Sequence, residues 1–156
     1  MIVGGINMKA TKRKISISIA MSLIICMMFS MTVFAATNTV TKTYSKMNAL
    51  NGLSVEKYAT VYASGSNPGT TNVVLSLNVS SGSDPFYITV RSPQGTIATI
   101  SPSTKSGTYD LTSYFTGENP NGKWYITMQN AGYSYNPSQV YPTSTVTPTL
   151  KVTYSY

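Results

Sequence analysis

Side chains capable of acid–base, nucleophilic or metal chemistry are few in this chain. Its carboxylates are Glu56, Asp84, Asp110 and Glu118, its one thiol is Cys26, and it has no histidine. Glycoside hydrolysis needs two carboxylates flanking the scissile bond, and no spacing among these four recommends a pair. A serine nucleophile without histidine needs a lysine base, and no Ser-x-x-Lys stands on a helical pattern; Ser101-Pro102-Ser103-Thr104-Lys105 reads as a loop. Cys26 falls in an apolar leader, which removes thiolate chemistry and His/Cys metal sites from the rest of the chain. The sequence therefore predicts no catalytic residue, no cofactor-binding residue and no metal ligand.

Binding chemistry is better represented. All 12 tyrosines lie beyond the leader, and Tyr133, Tyr135 and Tyr141 share one segment with Ser134, Asn136, Pro137, Ser138 and Gln139. Tyrosine supplies rigid ring area and Ser, Asn and Gly supply short hydrogen-bonding groups, the combination found in adaptable binding loops. Tyr133 and Tyr135, two apart, share a face if the segment is extended. The plainer reading is an edge strand whose tyrosines pack on their neighbours, since tyrosine favours strands.

Residues 1–35 have the pattern of a secretory signal. Lys9, Lys12, Arg13 and Lys14 precede an apolar run centred on Ala20 to Phe29, and Val33-Phe34-Ala35 offers small or aliphatic residues where a signal peptidase reads. Cleavage after Ala35 makes Ala36 the first mature residue, whether translation starts at Met1 or Met8. Two alternatives are an uncleaved anchor, because Ile15 to Phe34 is long enough to span a bilayer, and a lipoprotein processed at Leu23-Ile24-Ile25-Cys26. Five hydroxyl residues dilute the first, and bulky Ile25 disfavours the second. The net charge of +7 divides between the leader's four basic residues and a remainder with seven basic and four acidic ones. That remainder lacks the basic cluster of a nucleic-acid footprint. It favours weak attraction to anionic polymers, and the membrane enters only through the leader before cleavage.

Beyond the leader, the positions that must hold any site follow a period of two. Val73, Leu75, Leu77 and Val79 alternate with polar or outward residues, as do Phe86, Ile88 and Val90, then Trp124, Ile126 and Met128, then Leu150, Val152 and Tyr154. Weaker runs cover Thr39–Ser45, Val55–Ala63, Thr96–Ile100 and Thr108–Leu111. Ser92-Pro93-Gln94-Gly95 and Asn119-Pro120-Asn121-Gly122 place proline second and glycine fourth, as type I turns favour. About eight short strands without cysteine predict an all-β antiparallel sandwich, with residues 36–49 as a lead-in containing a first strand and 50–156 as the domain.

Two stretches carry a family resemblance. Phe86 to Arg91 running into Ser92-Pro93-Gln94-Gly95-Thr96, followed by Gly117-Glu118-Asn119-Pro120-Asn121-Gly122-Lys123-Trp124 and an alternating apolar strand, resembles the P domain of proprotein convertases and bacterial subtilisin-like proteases. The likeness covers roughly residues 50–156 and is to the P domain alone, without the protease domain. It implies structural roles for Pro93, Gly95, Gly122 and Trp124, the last as the large core aromatic. Family members often carry an acidic residue after the Trp strand; Gln129 and Asn130 stand there, and no tight Ca²⁺ site is predicted. Glu118, at the mouth of a turn, is expected to accept backbone N–H bonds.

The expectation is a secreted, P-domain-like, non-catalytic binding or accessory module, extracellular or held at the cell surface. Its partner would be a surface glycan, a wall polymer or a protein, with Tyr133, Tyr135 and Tyr141 as candidate contacts. The alternatives are an assembly protein of the cell envelope and a small bacteriocin-like effector.

Overall fold

A computed structural model describes residues 35–50, 54–82, 84–103, 105–131 and 142–156. Residues 1–34 of the proposed leader and Tyr133, Tyr135 and Tyr141 lie outside them. Among the described residues nine strands and one helical turn follow in order: β1 (Thr37–Thr43), β2 (Met47–Leu50), β3 (Ser54–Val61), β4 (Gly69–Gly82), β5 (Phe86–Arg91), β6 (Ile97–Ser103), β7 (Gly107–Asp110), α1 (Thr112–Phe115), β8 (Gly122–Asn130) and β9 (Pro142–Ser155). Every pairing is antiparallel. One sheet runs β1-β9-β4-β7, with β2 also on β9, and the other runs β3-β8-β5-β6. The fold is an all-β antiparallel sandwich.

Alternation decides what each sheet turns inward. In the first sheet Val73 faces Val152 and Leu75 faces Leu150 across the ladder. In the second, Ile88 faces Met128 and Val90 faces Ile126. All eight are buried, together with Trp124, Phe115 and Tyr154. The largest side chain sits opposite one of the smallest, Trp124 against Ala59, and the Phe115 ring meets the indole edge-on at 5.1 Å.

The segment read as a lead-in carries two strands of the first sheet, and a proline far along the chain explains why there are two. Pro148 lies inside β9 and has no N–H to donate. In an antiparallel strand a residue's N–H and C=O point to the same neighbour. The Pro148 carbonyl accepts from Tyr44 N–H at 2.9 Å, so its missing donor faces the break between β1 and β2 and costs the β4 ladder nothing. At that break Tyr44 is buried, and its hydroxyl donates to the Trp124 carbonyl at 3.2 Å. The interior position pushes its ionisation well above the usual tyrosine range, because a phenolate there would be desolvated.

The expected turn at Ser92–Gly95 is present. Gly95 N–H donates to Ser92 O at 3.0 Å and Ser92 N–H to Thr96 O at 2.9 Å, closing a three-residue hairpin loop with Gly95 at φ +93°. The second turn is held by a side chain: Asn119 Oδ1 accepts from Asn121 N–H at 3.0 Å. The two turns touch, since a Cβ on Gly122 (φ +126°) would stand 2.9 Å from Pro93 Cβ, whereas one on Gly95 would meet nothing within 4 Å. Gly95→Ala is expected to cost about 1–2 kcal/mol for its backbone angle alone. Gly122→Ala should cost a further 1–3 kcal/mol or so for the clash. Urea midpoints of the two variants, compared at equal m, check the order.

Candidate binding face

The outer face of the four-stranded sheet is built from the residues that alternate with the core rows. On β3 these are Glu56, Tyr58 and Thr60; on β8 they are Lys123, Tyr125 and Thr127; β5 adds Tyr87, Thr89 and Arg91, and β6 adds Ile97 and Thr99. Register places Tyr58 opposite Tyr125, Tyr125 opposite Arg91 and Arg91 opposite Ile97, one row across all four strands. The next row is Glu56, Thr127, Thr89 and Thr99.

Contacts within the rows order these side chains. The rings of Tyr58 and Tyr125 lie 5.8 Å apart, tilted at 48°. Lys123 Nζ stands 4.5 Å from the Tyr58 centroid and Arg91 Cζ stands 4.0 Å from that of Tyr125, so a cation caps each ring. Arg91 also donates to Glu56 Oε2 at 3.4 Å, and Thr127 Oγ1 donates to the same oxygen at 3.2 Å. Even so, the face is open: Tyr58 is 59% exposed and Ile97 55%. It combines apolar ring area, guanidinium and ammonium donors with unused capacity, and a band of threonine hydroxyls. Such a surface can stack on the C–H faces of sugars and hydrogen-bond their hydroxyls or anionic groups.

The other singled-out residues lie apart from this face. Trp124 is fully buried, with Nε1–H donating to Pro120 O at 2.9 Å. Pro93, Gly95 and Gly122 form the meeting point of the two turns. Asp110 accepts from Thr112 N–H at 2.9 Å at the start of α1, and hydrogen bonds from the Thr112 hydroxyl and amide hold its carboxyl below the usual range. Glu118 departs from expectation: its carboxylate takes the Thr96 hydroxyl in place of backbone N–H groups. The turn presents the carboxylate to the hairpin beside it, not back to its own amides.

Sequence reasoning had placed Tyr125 and Lys123 on the outward side of their strand but had not joined them to β3. The signal was the alternation of Glu56, Tyr58 and Thr60. Its meaning depends on which strand pairs with β3, and periodicity does not say.

Fold and face together describe a β-sandwich module with an aromatic and cationic surface on one sheet. No family model matches the chain, and no curated protein matches it. Among solved structures it is similar to the crystal structure of FlhE, with a TM-score of 0.51 and 12% identity over 78% of this chain and 97% of that one. Weaker likenesses are to a family two carbohydrate esterase from Cellvibrio japonicus and to the capsid of cyanophage Pam1. The esterase has a TM-score of 0.36 and 10% identity over 78% of this chain and 35% of that one. The capsid has a TM-score of 0.39 and 14% identity over 78% and 86%. The FlhE likeness is one of fold alone, and the other two are too distant in shape to bear on it.

Proposed function

We propose that the chain is a secreted, non-catalytic binding module that holds a surface glycan or wall polymer on the outer face of the β3-β8-β5-β6 sheet. The observation that carries this reading is the open Tyr58–Tyr125 ring pair, capped by Lys123 and Arg91. Sugar rings present apolar C–H faces that stack on aromatic side chains. The two cations add attraction for phosphate or carboxylate groups on such a polymer, in keeping with the basic excess beyond the leader. Secretion rests on the leader pattern of residues 1–35. A P-domain-like identity is supported by the two quoted turns, which come together at Pro93 and Gly122. Tyr133, Tyr135 and Tyr141 are a second set of candidate contacts on the same reading.

Pull-down by purified cell walls tests the face. The double variant Tyr58→Ala/Tyr125→Ala is expected to bind at least about tenfold more weakly, about 1.4 kcal/mol. Its melting temperature should fall by only a few degrees, because Tyr58 is exposed and Tyr125 is half-buried on the solvent side of the sheet. Binding by the parent should weaken at high salt as the Lys123 and Arg91 contributions are screened. Unchanged binding by a folded double variant would remove this face from the reading and turn the test to the triple variant of Tyr133, Tyr135 and Tyr141.

A further inference from the structure

One contact on the binding face joins strands that are not neighbours. Arg91 is on β5 and Glu56 on β3, with β8 between them. Register sets Arg91 opposite Tyr125 and Glu56 opposite Thr127, one row further along. To reach Glu56 the Arg91 side chain passes over β8, and its guanidinium carbon lies 4.0 Å from the Tyr125 centroid on the way. On the far side Arg91 Nη2 donates to Glu56 Oε2 at 3.4 Å, and Thr127 Oγ1 donates to the same oxygen at 3.2 Å. The ion pair is a strap across Tyr125, which is half-buried.

The strap is loosely fastened. Both ends meet solvent, with side chains 39% and 48% exposed. Ion pairs in such places contribute little, since water screens them and two long side chains must be held still. Its 3.4 Å separation is also long beside the roughly 2.7–2.9 Å of a close charge-assisted bond. A guanidinium carries its N–H donors in a planar fork suited to carboxylate and phosphate oxygens, and Glu56 takes only a single bond from it. An oxyanion arriving at the face thus meets a donor group already set over an aromatic ring and held by a weak competitor. A neutral sugar has no charge with which to draw Arg91 away from Glu56.

We propose that the face takes anionic polymers, those with a phosphate or carboxylate group in the repeat, and that Glu56 is a built-in competitor for Arg91 that the ligand oxyanion displaces. Arg91 touches the ligand, and Glu56 positions Arg91. The inference rests on this sheet face being the binding surface and adds the class of polymer. Charge complementarity argues for that occupant: Lys123 and Arg91 outnumber Glu56, the one carboxylate in these rows. Once displaced, Glu56 stands beside a like charge, so its carboxylate holds affinity down.

Binding of the mature protein to poly(glycerol phosphate), polygalacturonate and neutral dextran, at low and equal ionic strength, provides the test. The parent should hold at least one of the two anionic polymers about tenfold more tightly than dextran, and Arg91→Met should weaken that binding about tenfold. Glu56→Gln should tighten it about threefold, as expected when an exposed competing pair is removed. In the Arg91→Met background that gain should vanish, because the two residues act through one contact. A gain that persists there overturns the proposal, since Glu56 then acts through overall charge alone. Unchanged or weaker binding by Glu56→Gln overturns it as well, and so does a parent that binds neither anionic polymer more tightly than dextran. The Tyr58→Ala/Tyr125→Ala variant tells this failure from failure of the face. Where that variant loses binding and Glu56→Gln gains none, the face stands and the competitor does not; where it keeps full binding, both fall.

Discussion

Replacing Trp124 by alanine should cost about 3–5 kcal/mol, the range found when a large buried aromatic is truncated. Trp124 is the largest fully buried side chain. Three contacts are involved. The indole packs edge-on against Phe115, fills the space left by Ala59 on the neighbouring strand, and satisfies the Pro120 carbonyl through Nε1–H. Truncation leaves a cavity and an acceptor without its donor. Because a domain holds only about 5–15 kcal/mol in total, the loss should be visible as a drop in melting temperature of more than about 10 °C. Trp124 is the chain's one tryptophan, so the variant must be followed by circular dichroism in place of intrinsic fluorescence. Trp124→Phe should recover most of the loss, since it restores ring volume and forgoes only the hydrogen bond. A loss below about 1 kcal/mol for the alanine variant would contradict the packing described here.

What made Trp124 legible as a core residue was its strand. Period-two alternation depends only on near neighbours, and the rows of β4, β5, β8 and β9 all face inward as that pattern requires. The Ser92–Gly95 turn was legible for the same reason, being written in four consecutive residues. Features that join distant residues were not. The break between β1 and β2 at Tyr44 answers a proline at position 148, and nothing near Tyr44 announces it. Helix α1 is a single turn, too short to show a helical period, although buried Leu111 and Phe115 stand four apart.

The candidate site divides along the same line. That Tyr125 and Lys123 point outward follows from Trp124 pointing inward. That Tyr58 joins them follows from β3 pairing with β8 in one particular register, and shifting β3 by one residue would turn Tyr58 toward the core. Glu118 was read against its own turn because local bonds are the ones a sequence displays. Its partner, Thr96, belongs to a different hairpin.

The second large effect is expected at alkaline pH and centres on Tyr44. Burial raises its ionisation far above that of a solvated tyrosine, whereas in the unfolded chain it titrates near the ordinary value of about 10. A group raised in the folded state contributes stability that is fully present below the unfolded value and lost as pH rises beyond it. Between those two values the unfolded chain loses a proton that the folded one keeps, so stability should fall by up to about 1.4 kcal/mol for each pH unit. Urea titrations from pH 8 to 12 should therefore show a plateau and then a descending limb, with phenolate absorbance from Tyr44 appearing only on unfolding. Tyr44→Phe separates the causes. At pH 7 it should be less stable by about 1–2 kcal/mol, having lost the donor to the Trp124 carbonyl, yet its alkaline limb should be flatter by about one proton. The parent and variant curves should accordingly converge as pH rises, and an alkaline limb of unchanged steepness in Tyr44→Phe would mean that another buried group carries the titration.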